Sequence, residues 1–178
     1  MKVLREYINE IIPILTDAHK KTPPEPRTQK LNELLTISNF KEVEPYLVTD
    51  ILPIVLKRTD DKPIVSEVAL KVGKLFIKNV SVQAFPKIIQ ILFNEMREES
   101  KWKAKGGSLT LLGDYIQRLE VYDRELLSAC LPELVEAISG LLYDTKPEVA
   151  DLAEIVLRKA MNGITNKDLE PFTEDLIR

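Results

Sequence analysis

A single cysteine, Cys130, and a single histidine, His19, set narrow limits on the covalent and metal chemistry open to this chain of 178 residues. Nitrogen and sulfur metal sites draw on about four ligands, so this pair cannot furnish the usual set. A thiol and imidazole acting as nucleophile and base would require the fold to join distant parts of the chain. Cys130 reads instead as a small packing residue, and His19 as a solvated residue near a helix end, where positive charge suits the helix dipole. A phosphate-cradling loop needs a Gly-Lys pair followed by Ser or Thr. The only Gly-Lys here, Gly73-Lys74, runs into Leu75 inside a helical stretch. Glu95, Glu98 and Glu99 bunch as acid-base carboxylates do, yet their segment reads as a solvated turn. No catalytic, cofactor-binding or metal-binding residue is expected.

Two groups of lysines offer different chemistry. Lys71, Lys74 and Lys78 are spaced three and four apart, which places them on one helix stripe opposite Val68, Val72 and Phe76. Lys101, Lys103 and Lys105 open another helix, where the dipole already makes the potential positive. Cations collected there invite an external anion, and an RNA phosphate would serve. Each set also has the plainer reading of keeping a helix soluble. Trp102, between them, either stacks on a base or packs at a junction. Charge is uneven along the chain: residues 1–89 hold 14 Lys or Arg against 11 Asp or Glu, and residues 90–178 hold 11 against 17. The net charge of −3 gives no global pull towards nucleic acid, but an anionic partner should favour the first half.

These lysines must be positioned by helices. Apolar residues recur at helical spacing almost everywhere, as in Leu131, Leu134, Val135, Ile138, Leu141 and Leu142, then Val149, Leu152, Ala153, Val156, Leu157 and Ala160. Between those two runs, Tyr143 to Lys146 is long enough only for a tight reversal, so the helices pack antiparallel. A turn signal recurs with them: Asp61-Lys62-Pro63 returns as Asp144-Thr145-Lys146-Pro147, with the prolines two units of 42 residues apart. Pro24 and Trp102 stand 39 residues either side of Pro63, so four second-helix starts share one lattice. Periods of this size, with two helices per unit, predict a stacked helical array. Prolines inside the first helices, Pro13, Pro53, Pro86 and Pro132, point to HEAT repeats in which such residues kink the helix. The expectation is an all-α HEAT-repeat solenoid forming one domain over 1–178. Its repeats fall near 1–39, 40–79, 80–119 and 120–164, with a partial fifth over 165–178 capped by Asn166 or Asp168. No apolar run reaches the length of a membrane span, and the start lacks a signal-peptide core, so the cytoplasm is the expected location.

A closer resemblance rests on the order of several motifs. Ser100-Lys101-Trp102-Lys103-Ala104-Lys105, the helix over Leu109 to Ile116, Leu131-Pro132-Glu133-Leu134-Val135 and Asp144-Thr145-Lys146 with Glu148-Val149 follow one another. Asn166-Lys167-Asp168-Leu169-Glu170 with Phe172 closes the series, and Val43-Glu44-Pro45-Tyr46 extends it upstream. The block, over roughly 43–178, resembles the N-terminal HEAT region of fungal-type translation elongation factor three, and a ribosome-associated starvation-response kinase activator shares it. Three positions depart from the pattern: Tyr143 stands where tryptophan is usual, Pro171 replaces a basic residue, and Gly106-Gly107 occupies a stretch of better helix formers. The resemblance implies a ribosome-bound protein whose complete form carries two ATP-binding cassettes and a chromodomain-like insertion, neither of which lies in these residues.

Two function classes follow. One is a ribosome-binding segment that touches rRNA and ribosomal proteins through Lys71, Lys74, Lys78, Lys101, Lys103 and Lys105. The other is a protein scaffold whose concave groove holds a partner helix or an acidic tail. Neither needs a cofactor or a small-molecule substrate.

Overall fold

The computed structural model describes residues 6–7, 9–10, 13–14, 23–37, 44–97 and 101–162. Among these residues every regular element is helical and none is a strand. In chain order they are α1 (Glu25–Ile37), α2 (Leu52–Arg58), α3 (Pro63–Asn79), α4 (Phe85–Met96), α5 (Trp102–Tyr122), α6 (Arg124–Ala129), α7 (Leu131–Ser139) and α8 (Pro147–Asn162). Three of the four expected second-helix starts, Pro63, Trp102 and Pro147, are the first residues of α3, α5 and α8, and α1 starts one residue after Pro24. His19, Glu98, Glu99, Pro171 and the fifth-repeat residues from Thr165 lie outside the described residues.

The chain divides into two compact units, Met1–Ser108 and Leu109–Arg178, with the boundary inside α5. In the first unit, α2 packs antiparallel to α3 across the Thr59–Lys62 turn, α1 packs on α3, and α2 packs on α4. First helices therefore contact first helices, and second helices contact second helices. The buried residues follow from the sequence pattern: Leu31 and Leu34 of α1, Val55 and Leu56 of α2, and Val65, Ala69 and Val72 of α3 are fully shielded from solvent. Each such Leu or Val contributes roughly 1.5–3 kcal/mol through burial. In the second unit α7 and α8 form the corresponding hairpin, with Leu131, Leu134 and Ile138 buried on one helix and Val149, Ala153, Val156 and Ala160 on the other.

Both hairpins begin their second helix in the same way. The carbonyl of Lys62 accepts from Val65 N and Ser66 N at 2.9 Å each, and that of Lys146 accepts from Val149 N at 3.0 Å and Ala150 N at 3.2 Å. Pro63 and Pro147 occupy the position where a missing amide hydrogen costs nothing. Pro86 and Pro132 use the same economy, which corrects the expectation of a kink within a continuous helix there, whereas Pro53 follows a π-turn in a run that is helical from Glu44 to Arg58. Pro53, Pro86 and Pro132 each stand in the first turn of α2, α4 and α7. Upstream of Pro53 the chain is helical through Glu44–Tyr46 and a π-turn over Leu47–Ile51, in which Leu52 N donates to Leu47 O. Upstream of Pro86 there is a 3-10 turn over Val82–Ala84, and upstream of Pro132 the separate helix α6, capped by Asp123 Oδ1 accepting from Leu126 N at 3.1 Å. Apolar periodicity alone did not separate α6 from α7.

Gly107, one of the departures from the family pattern, has a packing reason. A Cβ there would stand 2.8 Å from Thr59 Oγ1 and 2.9 Å from its Cγ2. Thr59 is itself buried, and its hydroxyl donates to Leu56 O at 2.6 Å. The glycine is what lets the α2–α3 turn lie against the start of α5.

Candidate functional site

The α3 stripe is present as the spacing implies: Lys71, Lys74 and Lys78 are all exposed. A 100° advance per residue also puts Ile64 and Glu67 on that side, so one outward face of α3 carries an apolar residue, an acid and three lysines. Lys71 Nζ lies 2.8 Å from Glu67 Oε1, with both side chains more than half exposed. Such a pair is screened by solvent and leaves the stripe cationic in net. The Lys71 hydrogen bond holds the Glu67 carboxyl below its ordinary range.

The trio opening α5 is divided by the fold. Lys101 Nζ sits 2.6 Å from Asp60 Oδ2, so an anion from the α2–α3 turn already answers that charge. Lys103 is exposed and places its Nζ 5.7 Å from the centre of the Trp102 ring. Lys105 is only 8% exposed and does not stand outward with its neighbours. Trp102, at 38% exposure, neither fills a core nor stands free.

Sequence reading missed the strongest electrostatic feature. Arg27 on α1, 3% exposed, grips Asp61 in the α2–α3 turn through Nε to Oδ2 at 2.9 Å and Nη2 to Oδ1 at 3.1 Å. Arg58 Nη1 adds a contact of 3.1 Å to Oδ2, and Lys62 N donates to Oδ1 at 2.7 Å. Burial pushes the Asp61 carboxyl up, but the Arg27 hydrogen bond, the Lys62 amide and the two guanidinium charges outweigh it and hold the group below its usual range. Asp60 and Asp61 thus face two ways and tie the turn to both α5 and α1. The second copy of the turn uses its acid locally, with Asp144 Oδ1 accepting from Lys146 N at 2.9 Å. The signal for the first bridge was the acid repeated within the turn, and nothing in sequence spacing pointed from it to Arg27.

An open groove of about 640 Å³ lies between α1 and the start of α3, lined by Glu25, Gln29, Asn32, Glu33 and Ile64 with three further residues of α1 and its approach. Glu33 accepts from Tyr7 Oη at 2.6 Å and from Lys30 Nζ at 2.7 Å. Burial and the Glu33 contact push the Tyr7 phenol up to about 12.

Of the nucleophile and acid candidates, Cys130 and Glu95 lie among the described residues. Burial, reinforced by Glu133, pushes the Cys130 thiol up to about 11, so its reactive thiolate is scarce at neutral pH. Glu95 is partly buried rather than fully solvated; burial raises its carboxyl and the charge of Lys57 partly offsets this. Among the described residues no cluster of three His, Cys, Asp or Glu is placed to hold a metal, and no helix is long and apolar enough to cross a membrane.

Paired helices stacked first on first and second on second define a helical-repeat protein. The model of the family described as EF3 N-terminal HEAT repeat matches residues 8–157, and the chain belongs to that family. It is similar to "Elongation factor 3" of Gonapodya prolifera, 27% identical over 168 residues, covering 92% of this chain and 15% of that protein. "Elongation factor 3" of Mycosarcoma maydis is 28% identical over 137 residues, 76% of this chain and 12% of the relative. That of Zygosaccharomyces rouxii is 30% identical over 139 residues, with the same coverage of 76% and 12%. The chain therefore spans about an eighth of the length of these relatives, within their N-terminal HEAT region, which is not a catalytic part.

Proposed function

We propose that this chain is a ribosome-docking segment of an elongation-factor-three-type translation factor, acting in the cytoplasm. Its four helix pairs form one array, in repeats near 1–39, 40–79, 80–119 and 120–164, and it contacts rRNA phosphates and ribosomal proteins. The observation that carries the reading is the outward stripe of Lys71, Lys74 and Lys78 on α3, in a chain of this family. Lys101 and Lys103 belong to the same contact, with Lys101 leaving Asp60 for phosphate; Lys105 contributes through its position rather than by open exposure. Recognition is electrostatic and shape-based, because phosphate contacts carry no sequence information directly. Catalysis belongs to ATP-binding cassettes elsewhere in the complete protein.

The test is co-sedimentation of the purified chain with ribosomes across a salt series, before and after RNase treatment. Binding that falls steeply with salt and is lost after RNase supports the reading. Salt-independent binding, or none, overturns it.

A further inference from the structure

Lys101 already holds an anion supplied by a distant part of the fold. Its Nζ meets Asp60 Oδ2 at 2.6 Å across 41 residues of sequence. The pair is lopsided, with the lysine side chain 69% exposed and the aspartate only 20%. The carboxylate is also fixed from behind. Asp61, the next residue, is clamped by Arg27 and Arg58. Thr59, the residue before, is buried with its Oγ1 3.3 Å from Lys103 O in the first turn of α5, and Gly107 packs against it. The turn is thus held at the start of α5 whether or not Lys101 stays on Asp60. The Lys71–Glu67 pair is unlike this, since both of its side chains stand exposed on one helix and nothing holds the acid in place.

We propose that Asp60 is an intramolecular stand-in for phosphate at Lys101, a residue that sets the strength and salt dependence of the ribosome contact because phosphate must displace it. This role rests on the phosphate contact described under the proposed function. The ammonium has three donors, but a phosphate brought to it would stand beside the fixed carboxylate, and two anions so close repel. One must give way, and Lys101, on a flexible and mostly exposed stem, is the partner free to swing. Exposed ion pairs hold by a factor of about two to five, so Asp60 weakens the contact without closing it. The exchange also leaves a mark in the salt dependence. Phosphate sheds a counterion on meeting Lys101, while the freed Asp60 carboxylate gains one, so Lys101 adds little to the salt slope as long as Asp60 is present.

The test is a double-mutant cycle on Asp60 and Lys101, read by co-sedimentation of the purified chain with ribosomes at several salt concentrations. D60N keeps the shape of the side chain and removes its charge. It should tighten binding about threefold at low salt and steepen the salt slope by about one. D60S, a second neutral replacement, should do the same, with urea midpoints reporting that both variants stay folded. K101A alone should leave the slope near that of the unaltered chain, and in D60N/K101A both gains should vanish. A general charge effect, in contrast, would make loss of the acid equally helpful with and without Lys101. The role of Asp60 is overturned if neither neutral variant tightens binding, or if the gain survives in K101A. Ribosome binding that is present but indifferent to Asp60 overturns this role alone, whereas absence of binding in every variant overturns the phosphate contact with it.

Discussion

Arg27 and Asp61, 34 residues apart in sequence, form a two-pronged ion pair at 2.9 and 3.1 Å that fastens α1 to the turn joining α2 and α3. Arg27 is 3% exposed and the Asp61 side chain 10%, so neither charge has water enough to replace its partner. Removing one partner strands the other, which in buried pairs costs about 3–5 kcal/mol. Arg27→Ala and Asp61→Asn should each lower stability by about 3 kcal/mol in urea denaturation, Arg58 retaining part of the interaction. Arg27→Lys should recover only a fraction, since an ammonium cannot reproduce the fork. A loss below about 0.5 kcal/mol, the size of an exposed pair, would show that the bridge is a surface ornament.

The same bridge sets an acid limit. Asp61 titrates lower in the folded chain than in the unfolded one, so its contribution is whole above about pH 4 and drains as pH falls through the folded value. Thermal melts from pH 6 to pH 2 should show a fall that is shallower in Asp61→Asn. Tyr7 acts at the other end of the scale. Its folded value of about 12 lies above the ordinary phenol, so its contribution is complete below about pH 10 and disappears as pH rises through 12. Tyr7→Phe should flatten that alkaline decline.

Two glycines should respond oppositely to alanine. At Gly107 the new methyl meets Thr59 at 2.8 to 3.0 Å, and the crowding should cost about 1–3 kcal/mol. Thr59→Ala in the same chain should return part of that loss, a coupling measurable in a double-mutant cycle. At Gly140, with right-handed helical dihedrals and no atom within 4 Å of the added carbon, alanine should stabilise by about 0.4–1 kcal/mol.

If the lysine stripe touches phosphate, single Lys71→Ala, Lys74→Ala or Lys78→Ala changes should each lower the salt slope of ribosome binding by about one. Lys105→Ala, in contrast, should act mainly on stability, because the residue is 8% exposed. Co-sedimentation and urea melts of the same variants separate the two effects.

Cys130 should resist alkylation. With a thiol at about 11, iodoacetamide at pH 7.5 should label it slowly in the folded chain, and at the rate of a free thiol after urea unfolding. Fast labelling of the native chain would show a more open site than the partial burial described.

What the sequence made legible was whatever depends on local periodicity. The starts of α3, α5 and α8, the apolar faces of α7 and α8, and the outward stripe of Lys71, Lys74 and Lys78 all follow from spacing and from the proline in a first turn. Pro13, Pro53, Pro86 and Pro132 were read as kinks because periodicity runs through them; at Pro86 and Pro132 the chain instead starts a helical segment, where the absent amide hydrogen is not missed, and at Pro53 it passes through a π-turn within one helical run. Features made by meetings between distant residues were not legible. Asp60 reaching Lys101, Asp61 reaching Arg27, and Gly107 admitting Thr59 each join segments more than thirty residues apart. Lys105 belongs with them, because its place in an alternating run of lysines carries no sign that the fold will cover it.

The wide turn over Leu47–Ile51 has a consequence for how this protein tolerates change in length. A π-turn absorbs one surplus residue, and here it does so just before Pro53, with Leu47 and Val48 within it and Val55 and Leu56 beyond it all buried. Deleting one residue within that stretch would relax it to an ordinary coil and leave the inward side of α2 in phase, whereas a deletion in the middle of α3 would rotate every later side chain by about 100°. Gain or loss of a single residue is thus an option at this joint and a fold-breaking event a few residues downstream.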